Sequence, residues 1–245
     1  MTFELSESGD CVFCAIVAGD TNARFEVRPD ASAPGATVAC FHNQLKWARV
    51  MLLIVPTQHM TQTEFWSSQV LVDAASLAVR MGDQHCADDG YRVISNFGRV
   101  AHQSQAHAHM HVVSGTSRQI REARQKTQNS LAPGSVDVVS GNFAGGYSGG
   151  SDLVIDEYDV DEVPFAVQIS PLPSSSESPV TQREFWGSER ILLGSQAAQR
   201  IGGRYSAEGF RLLSSFDPAR TADDPPGLNP ASLFLLGGGQ LGLYV

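Results

Sequence analysis

The run His107-Ala108-His109-Met110-His111 is the part of this sequence best suited to chemistry. On an extended chain alternate side chains share a face, with about 6.6 Å between them. Three imidazoles then project to one side, and Ala108 and Met110 point to the other. Each imidazole needs polar partners if buried, so strict alternation points to a site rather than to packing. Two chemistries fit. The imidazoles could ligate zinc or iron. The metallohydrolase pattern His-x-His-x-Asp-His is absent, however, because His111 and Val112 stand where its Asp and last His would be. Alternatively, a neutral imidazole could attack phosphorus while its neighbours neutralise the phosphate oxygens.

A second candidate is the Cys11-x-x-Cys14 pair. Two cysteines at this spacing supply half of a tetrahedral metal site. They could equally be buried apolar thiols. Redox use would need a thioredoxin-like βαβ setting, which the flanking sequence lacks. Four cysteines in 245 residues do not make a disulfide scaffold.

The elements that must position these groups are legible from pattern. Segments 37–41, 50–55, 91–95 and 106–114 read as strands. Apolar residues at helical spacing predict a helix over 62–81, capped by Thr61 or Thr63 and ending at Gly82-Asp83. Strands in a run with one intervening helix suggest an antiparallel α+β meander. The pattern then repeats. TQTEFWSSQVLVDAASLAVRMG from Thr61 matches TQREFWGSERILLGSQAAQRIG from Thr181, and GYRVISNF from Gly90 matches GFRLLSSF from Gly209. The offset is 120 residues, slipping to 119. A copy of that size is a domain rather than a solenoid unit. Between the copies, 140–151 is dense in Gly and Ser and reads as a linker, and PLPSSSESP from Pro171 loosens the second copy.

Composition excludes some partners. The chain is 42% hydrophobic and 18% charged with a net charge of −9, and has no Lys/Arg stripe. Bulk nucleic acid is therefore a poor partner, although local donors can still bind a small anion. The longest apolar stretch, 50–55, is too short to span a bilayer, and Met1–Asp10 has no basic leader region. The expectation is a soluble, unsecreted, cytoplasmic protein. All seven histidines precede residue 112, which confines a histidine-built centre to the first half.

Gln103-Ser-Gln-Ala-His-Ala-His-Met-His-Val-Val resembles the signature of the histidine triad (HIT) family of nucleotide hydrolases and transferases. Cys11–Asp20, Leu53-Ile-Val-Pro-Thr-Gln-His59 and Gly90–Asn96 resemble further family segments in the right order, over roughly 11–116. The resemblance implies an antiparallel sheet with a packed helix. It implies His109 as nucleophile and His111 at the phosphate oxygens. Asn96 and Gln103 would donate to phosphate or leaving group, and Ser104 would sit near the leaving group. Asn43, with His42 beside it, falls where members hold the ribose. In the zinc-bearing branch His59 and His107 complete a Cys2His2 site with Cys11 and Cys14. The chain departs from the pattern at Met51, where many members carry a His, and in 97–102, where Gly98 is the one glycine.

In the second copy Asn96 aligns with Ser215, and Ser232–Gly239 replaces the triad strand without any histidine. The expected organisation is a HIT-like catalytic domain over 1–125, a linker over 126–151, and a degenerate HIT-like domain over 152–245. Single-domain members pair across a two-fold axis, so the tandem would form a pseudo-dimer within one chain and can stand as a monomer. The expected function is hydrolysis of phosphoramidates or dinucleoside polyphosphates through a nucleotidyl-histidine. The alternatives are a nucleotidyltransferase or phosphorylase, as in the sugar-phosphate uridylyltransferase branch, a metal-dependent hydrolase, and a non-catalytic nucleotide-binding protein.

Overall fold

The protein is described by a computed structural model over residues 11–29, 36–130, 153–172, 180–218 and 231–242. In chain order the first half comprises α1 (Val12–Ala18), β1 (Phe25–Val27), β2 (Val38–His42), β3 (Met51–Pro56), α2 (Gln62–Trp66), α3 (Val70–Cys86), β4 (Tyr91–Phe97) and β5 (Met110–Ser114). Then follow α4 (Arg118–Glu122), β6 (Arg124–Ser130), β7 (Leu153–Asp159), β8 (Phe165–Pro171), α5 (Gln182–Trp186), α6 (Arg190–Tyr205), β9 (Phe210–Phe216) and β10 (Leu233–Gly237). All strand pairs are antiparallel, in one ten-stranded sheet of order β1-β2-β3-β5-β4-β9-β10-β8-β7-β6. The architecture is α+β as expected, but not a meander, because β5 inserts between β3 and β4.

Helices α2, α3, α5 and α6 cover one sheet face, and His109 and His111 lie on the other, beside α1. Leu52, Ile54, Val93, Met110 and Val112 face Phe65, Leu71, Ala74, Ala78 and Met81 in one core. Met51, Ile94, Val113, Leu213 and Phe234 form a smaller cluster on the opposite side. The predicted single helix is two. Thr61 caps α2 in a reciprocal box with Glu64, and the chain turns at Ser67–Gln69 before α3 begins. Helix α3 also runs past Gly82 to Cys86. Gly82 serves as a notch rather than a stop, since a Cβ there would collide with the Tyr91 ring.

The duplication is visible in three dimensions. Thr181 and Glu184 repeat the capping box, and Gly202 repeats the notch against Phe210. Strands β4 and β9 pair over their full lengths about Ile94–Leu213. The rings of Tyr91 and Phe216 stack at 4.4 Å, as do those of Phe97 and Phe210. Trp66 meets Trp186 edge-on at 6.2 Å, and Arg183 grips Asp83 with Nη2 at 2.8 Å. These contacts relate the halves by a local two-fold axis, with an apolar, aromatic seam that the hydrophobic effect favours.

One segment bound shifts. The connector expected from 126 begins later, because β6 continues to Ser130 by pairing with β7. There Lys126 lies 3.2 Å from Asp159 and 3.7 Å from Glu157. The Gly/Ser-rich stretch 140–151 lies outside the described residues, as does most of the loose segment after Pro171. No helix among the described residues is long and apolar enough to cross a membrane.

Candidate active site

The triad segment is held by a side chain rather than by strand pairing. The strand expected over 106–114 begins only at Met110, where pairing with β3 and β4 starts. Upstream, the Gln62 amide replaces a neighbouring strand. Its Nε2 donates to the His109 carbonyl and its Oε1 accepts from the His109 N–H, both at 3.0 Å. The Ala108 N–H donates to the Met60 carbonyl at 2.8 Å. Alternation persists through the segment, so Ala108 and Met110 join the helix-side core while His109 and His111 face outward. Gln182 clamps Ser232 in the same way, at 2.6 and 2.8 Å. We therefore expect Gln62→Leu and Gln182→Leu to cost similar stability in urea denaturation, about 1–3 kcal/mol each, because each strands a buried N–H and C=O. Equal stability of Gln62→Leu and wild type would show that the clamp is dispensable.

His109 and His111 line a cavity of about 1060 Å³. The His109 Nδ1–H donates to the carbonyl of His107 at 3.0 Å. A carbonyl only accepts, so Nδ1 carries the proton and Nε2 keeps the lone pair. Burial holds the His109 imidazole below its ordinary pKa, opposed by that hydrogen bond. Burial pushes His111 well below as well, assisted by His109 and by the charge of Arg211. The two rings stand edge-to-face with centroids 5.0 Å apart. The site thus presents a neutral, oriented imidazole beside a second one, at a cavity wall.

The rest of the wall has a distinct chemistry at each end. Phe13, Ile16, Phe41 and Leu53 make an apolar cleft, and Arg24 and Lys46 supply cations beside it, while Arg49 there is paired with Asp89 at 2.7 Å. These local charges suit an anionic ligand despite the acidic chain. His42, Asn43 and Ser104 line the same cavity. Asn43 Oδ1 accepts from the Leu45 N–H at 3.0 Å. Gln103 and Asn96 are placed differently. Gln103 Oε1 accepts from the Gly98 N–H at 2.9 Å and its Nε2 donates to the Gln105 carbonyl at 3.0 Å, bracing the loop 98–103. Asn96 is buried on β4, two residues beyond Ile94, which pairs with His111.

Several groups at the site were not evident from sequence. His42 Nε2 lies 2.6 Å from Glu26, and the other oxygen of Glu26 lies 3.2 Å from His85 Nε2. The His42 bond, ahead of burial which opposes it, holds the Glu26 carboxyl below its usual range. These partners are far apart in the chain, and no local signal links them. Gln62 had a signal, since Thr-Gln-x-Glu-Phe-Trp occurs in both copies.

Cys11, Cys14, His59 and His107 form a group that could hold a metal ion, with their four ligand atoms within 4.8 Å of one another. Cys14 Sγ lies 3.3 Å from His59 Nδ1 and 3.4 Å from His107 Nδ1, and Cys11 Sγ lies 3.4 Å from His107 Nδ1. Sulfur–nitrogen edges of a tetrahedral zinc site are about 3.6 Å, so these residues fit zinc with a small expansion. His107 Nε2–H donates to the Pro56 carbonyl at 2.9 Å, which leaves the unprotonated Nδ1 and its lone pair facing the sulfurs, where a metal would bind. Burial lowers the His107 pKa to about 4, so the ring is neutral as a ligand must be. His107 is thereby separated from its two alternating neighbours.

The second half carries the matching positions without the chemistry. Ser232 occupies the place of His109, Phe234 that of His111 and Ser215 that of Asn96, by strand register and by the Gln182 clamp. They line a smaller cavity of about 380 Å³.

Residues 36–118 match the family model described as the HIT domain. The chain is 27% identical over 103 residues to adenosine 5'-monophosphoramidase hnt1 of Schizosaccharomyces pombe, covering 42% of this chain and 72% of that protein. It also resembles a HIT family hydrolase from Clostridium thermocellum, at 26% identity over 46% of this chain and 96% of that one, with a TM-score of 0.39. A galt-like protein from Arabidopsis thaliana aligns over 95% of this chain and 82% of its own, with 14% identity and a TM-score of 0.54. That last likeness is one of fold, and it extends across both halves.

Proposed function

We propose that this chain, which carries a histidine triad (HIT) domain over residues 36–118, hydrolyses nucleotides through a covalent intermediate on His109. The substrate class is nucleoside phosphoramidates or dinucleoside polyphosphates. His109 Nε2 attacks the α-phosphorus, a P–N bond forms, and the bond to the leaving amine or phosphate breaks. The leaving group departs at the Ser104 side and takes up a proton from solvent, which the attacking water gives back in the next step. Water then attacks the same phosphorus from the vacated side, the bond to His109 breaks, and the nucleotide is released with the imidazole neutral again. His111 and Asn96 stabilise the phosphate oxygens, Gln103 orders the loop beside the leaving group, and His42 and Asn43 hold the ribose while the apolar cleft takes the base.

What supports this most is the fixed tautomer of His109, whose Nδ1–H is committed to the His107 carbonyl. Zinc on Cys11, Cys14, His59 and His107 is part of the same reading, in a structural role that pins α1 to the sheet. A reducing compartment such as the cytoplasm suits these thiols. Product analysis tests the reaction. Adenosine 5'-phosphoramidate should yield AMP and ammonia, unchanged in rate by added inorganic phosphate or sugar phosphate. Products that incorporate the added phosphate would instead identify a transferase or phosphorylase. Tight nucleotide binding with no product from either substrate class would leave a binding protein.

A further inference from the structure

Arg92 and Arg211 are each the second residue of their strands, β4 and β9, and correspond in the duplication. Because these strands pair antiparallel about the local axis, each arginine lies against a strand of the other half. Arg92 lies opposite Ser215, and Arg211 lies opposite Asn96. The two side chains end in different surroundings. Arg92 turns back to its own half, where Nη1 donates to the Gly115 carbonyl at 2.8 Å. Arg211 is 0% exposed. Its Nε donates to Asn96 Oδ1 at 2.8 Å, and its Nη2 donates to the Ala101 carbonyl at 3.4 Å.

The first bond decides which way the Asn96 amide points. With Oδ1 held by the guanidinium, Nδ2 is the end left to donate. The second bond ties down the loop 98–103, which leads directly into Ser104 at the cavity mouth. A guanidinium in this water-excluded position also adds a positive charge behind the two catalytic imidazoles, where screening is weak. The charge reaches His111, whose ionisation it opposes.

We propose that Arg211, supplied by the half that lacks histidines, is a positioning residue of the intact site, orienting Asn96 and favouring the anionic phosphate of the bound nucleotide. This rests on the nucleotide reading above. It gives the degenerate half a direct part in the reaction.

Calorimetric titration with AMP and adenosine, and with GMP and guanosine, separates phosphate recognition from base recognition. Arg211→Met should weaken nucleotide binding by about tenfold or more, the loss of a charge-assisted contact, and leave nucleoside binding unchanged. Arg211→Lys keeps the charge but not the Nε bond to Asn96. It should retain the preference for nucleotide over nucleoside while kcat on adenosine 5'-phosphoramidate falls by about tenfold. Arg92→Met, the symmetric control, should change neither. Wild-type protein that binds nucleotide no better than nucleoside would overturn the nucleotide reading together with this proposal. If the wild type prefers nucleotides and Arg211→Met prefers them equally, the proposal alone falls. Should Arg211→Met fail to fold, an unchanged kcat in Arg211→Lys would overturn it.

Discussion

His109→Ala is expected to lower turnover of a nucleoside phosphoramidate by on the order of 10⁴-fold or more, with melting temperature nearly unchanged. The size of the effect follows from the role. A nucleophile that splits the reaction into two displacements cannot be replaced by water at the same position. The small stability effect follows from geometry. The His109 backbone is held by Gln62 whatever the side chain, and its ring lies at a cavity wall rather than in the helix-side core. A rapid alkaline quench of wild-type protein with nucleotide labelled at the α-phosphorus should retain label on His109, because the bond between phosphorus and imidazole survives base and is lost in acid. The alanine variant should retain none. Full turnover by His109→Ala would end the covalent reading. His111→Ala should be milder, because it removes stabilisation of charge and leaves the attacking atom in place.

Metal removal should have the second large effect. Chelation of the purified protein, or Cys14→Ser, is expected to lower the melting temperature by about 10 °C, given several kcal/mol from a structural zinc in a chain of this size. Activity should fall too, through a traceable route. Cys11 and Cys14 lie at the start of α1, and the next residue after Cys11 but one, Phe13, packs its ring against those of His107 and His109 at 5.9 and 5.4 Å. Releasing α1 removes that wall of the apolar cleft. Restored melting and turnover on adding zinc to the chelated protein, but not to Cys14→Ser, would tie both effects to this group. A melting temperature that neither chelation nor Cys14→Ser lowers would make Cys11 and Cys14 a pair of buried thiols.

The same residues show how far local pattern reaches. Alternating histidines mark a site because three polar rings on one strand face are costly without a purpose, and alternation at 107–111 survives even though regular pairing begins only at Met110. The Cys-x-x-Cys spacing marks half a metal site, because those two ligands come from one turn of chain. The repeat of Thr-Gln-x-Glu-Phe-Trp marks the duplication, and the structure explains it: cap, clamp and seam are each needed twice. By contrast, helix α3 overran its expected end because the use of Gly82 depends on Tyr91, a contact no periodicity reveals.

The sequence by itself therefore pointed to the strand that carries the candidate site, and determined that the chain is doubled and that one copy has no histidines. The resemblance already implied that His107 parts from its two neighbours; the tertiary structure brings it to Cys11 and Cys14, and it alone fixes the tautomer of His109. It alone brought Glu26 and His85 to His42, and carried Arg211 from the far half to Asn96, 115 residues earlier in the chain. The reason is physical. Periodicity and spacing encode which face a residue occupies, whereas partners across a sheet are chosen by strand order and register, which the burial of both halves against one another sets as a whole.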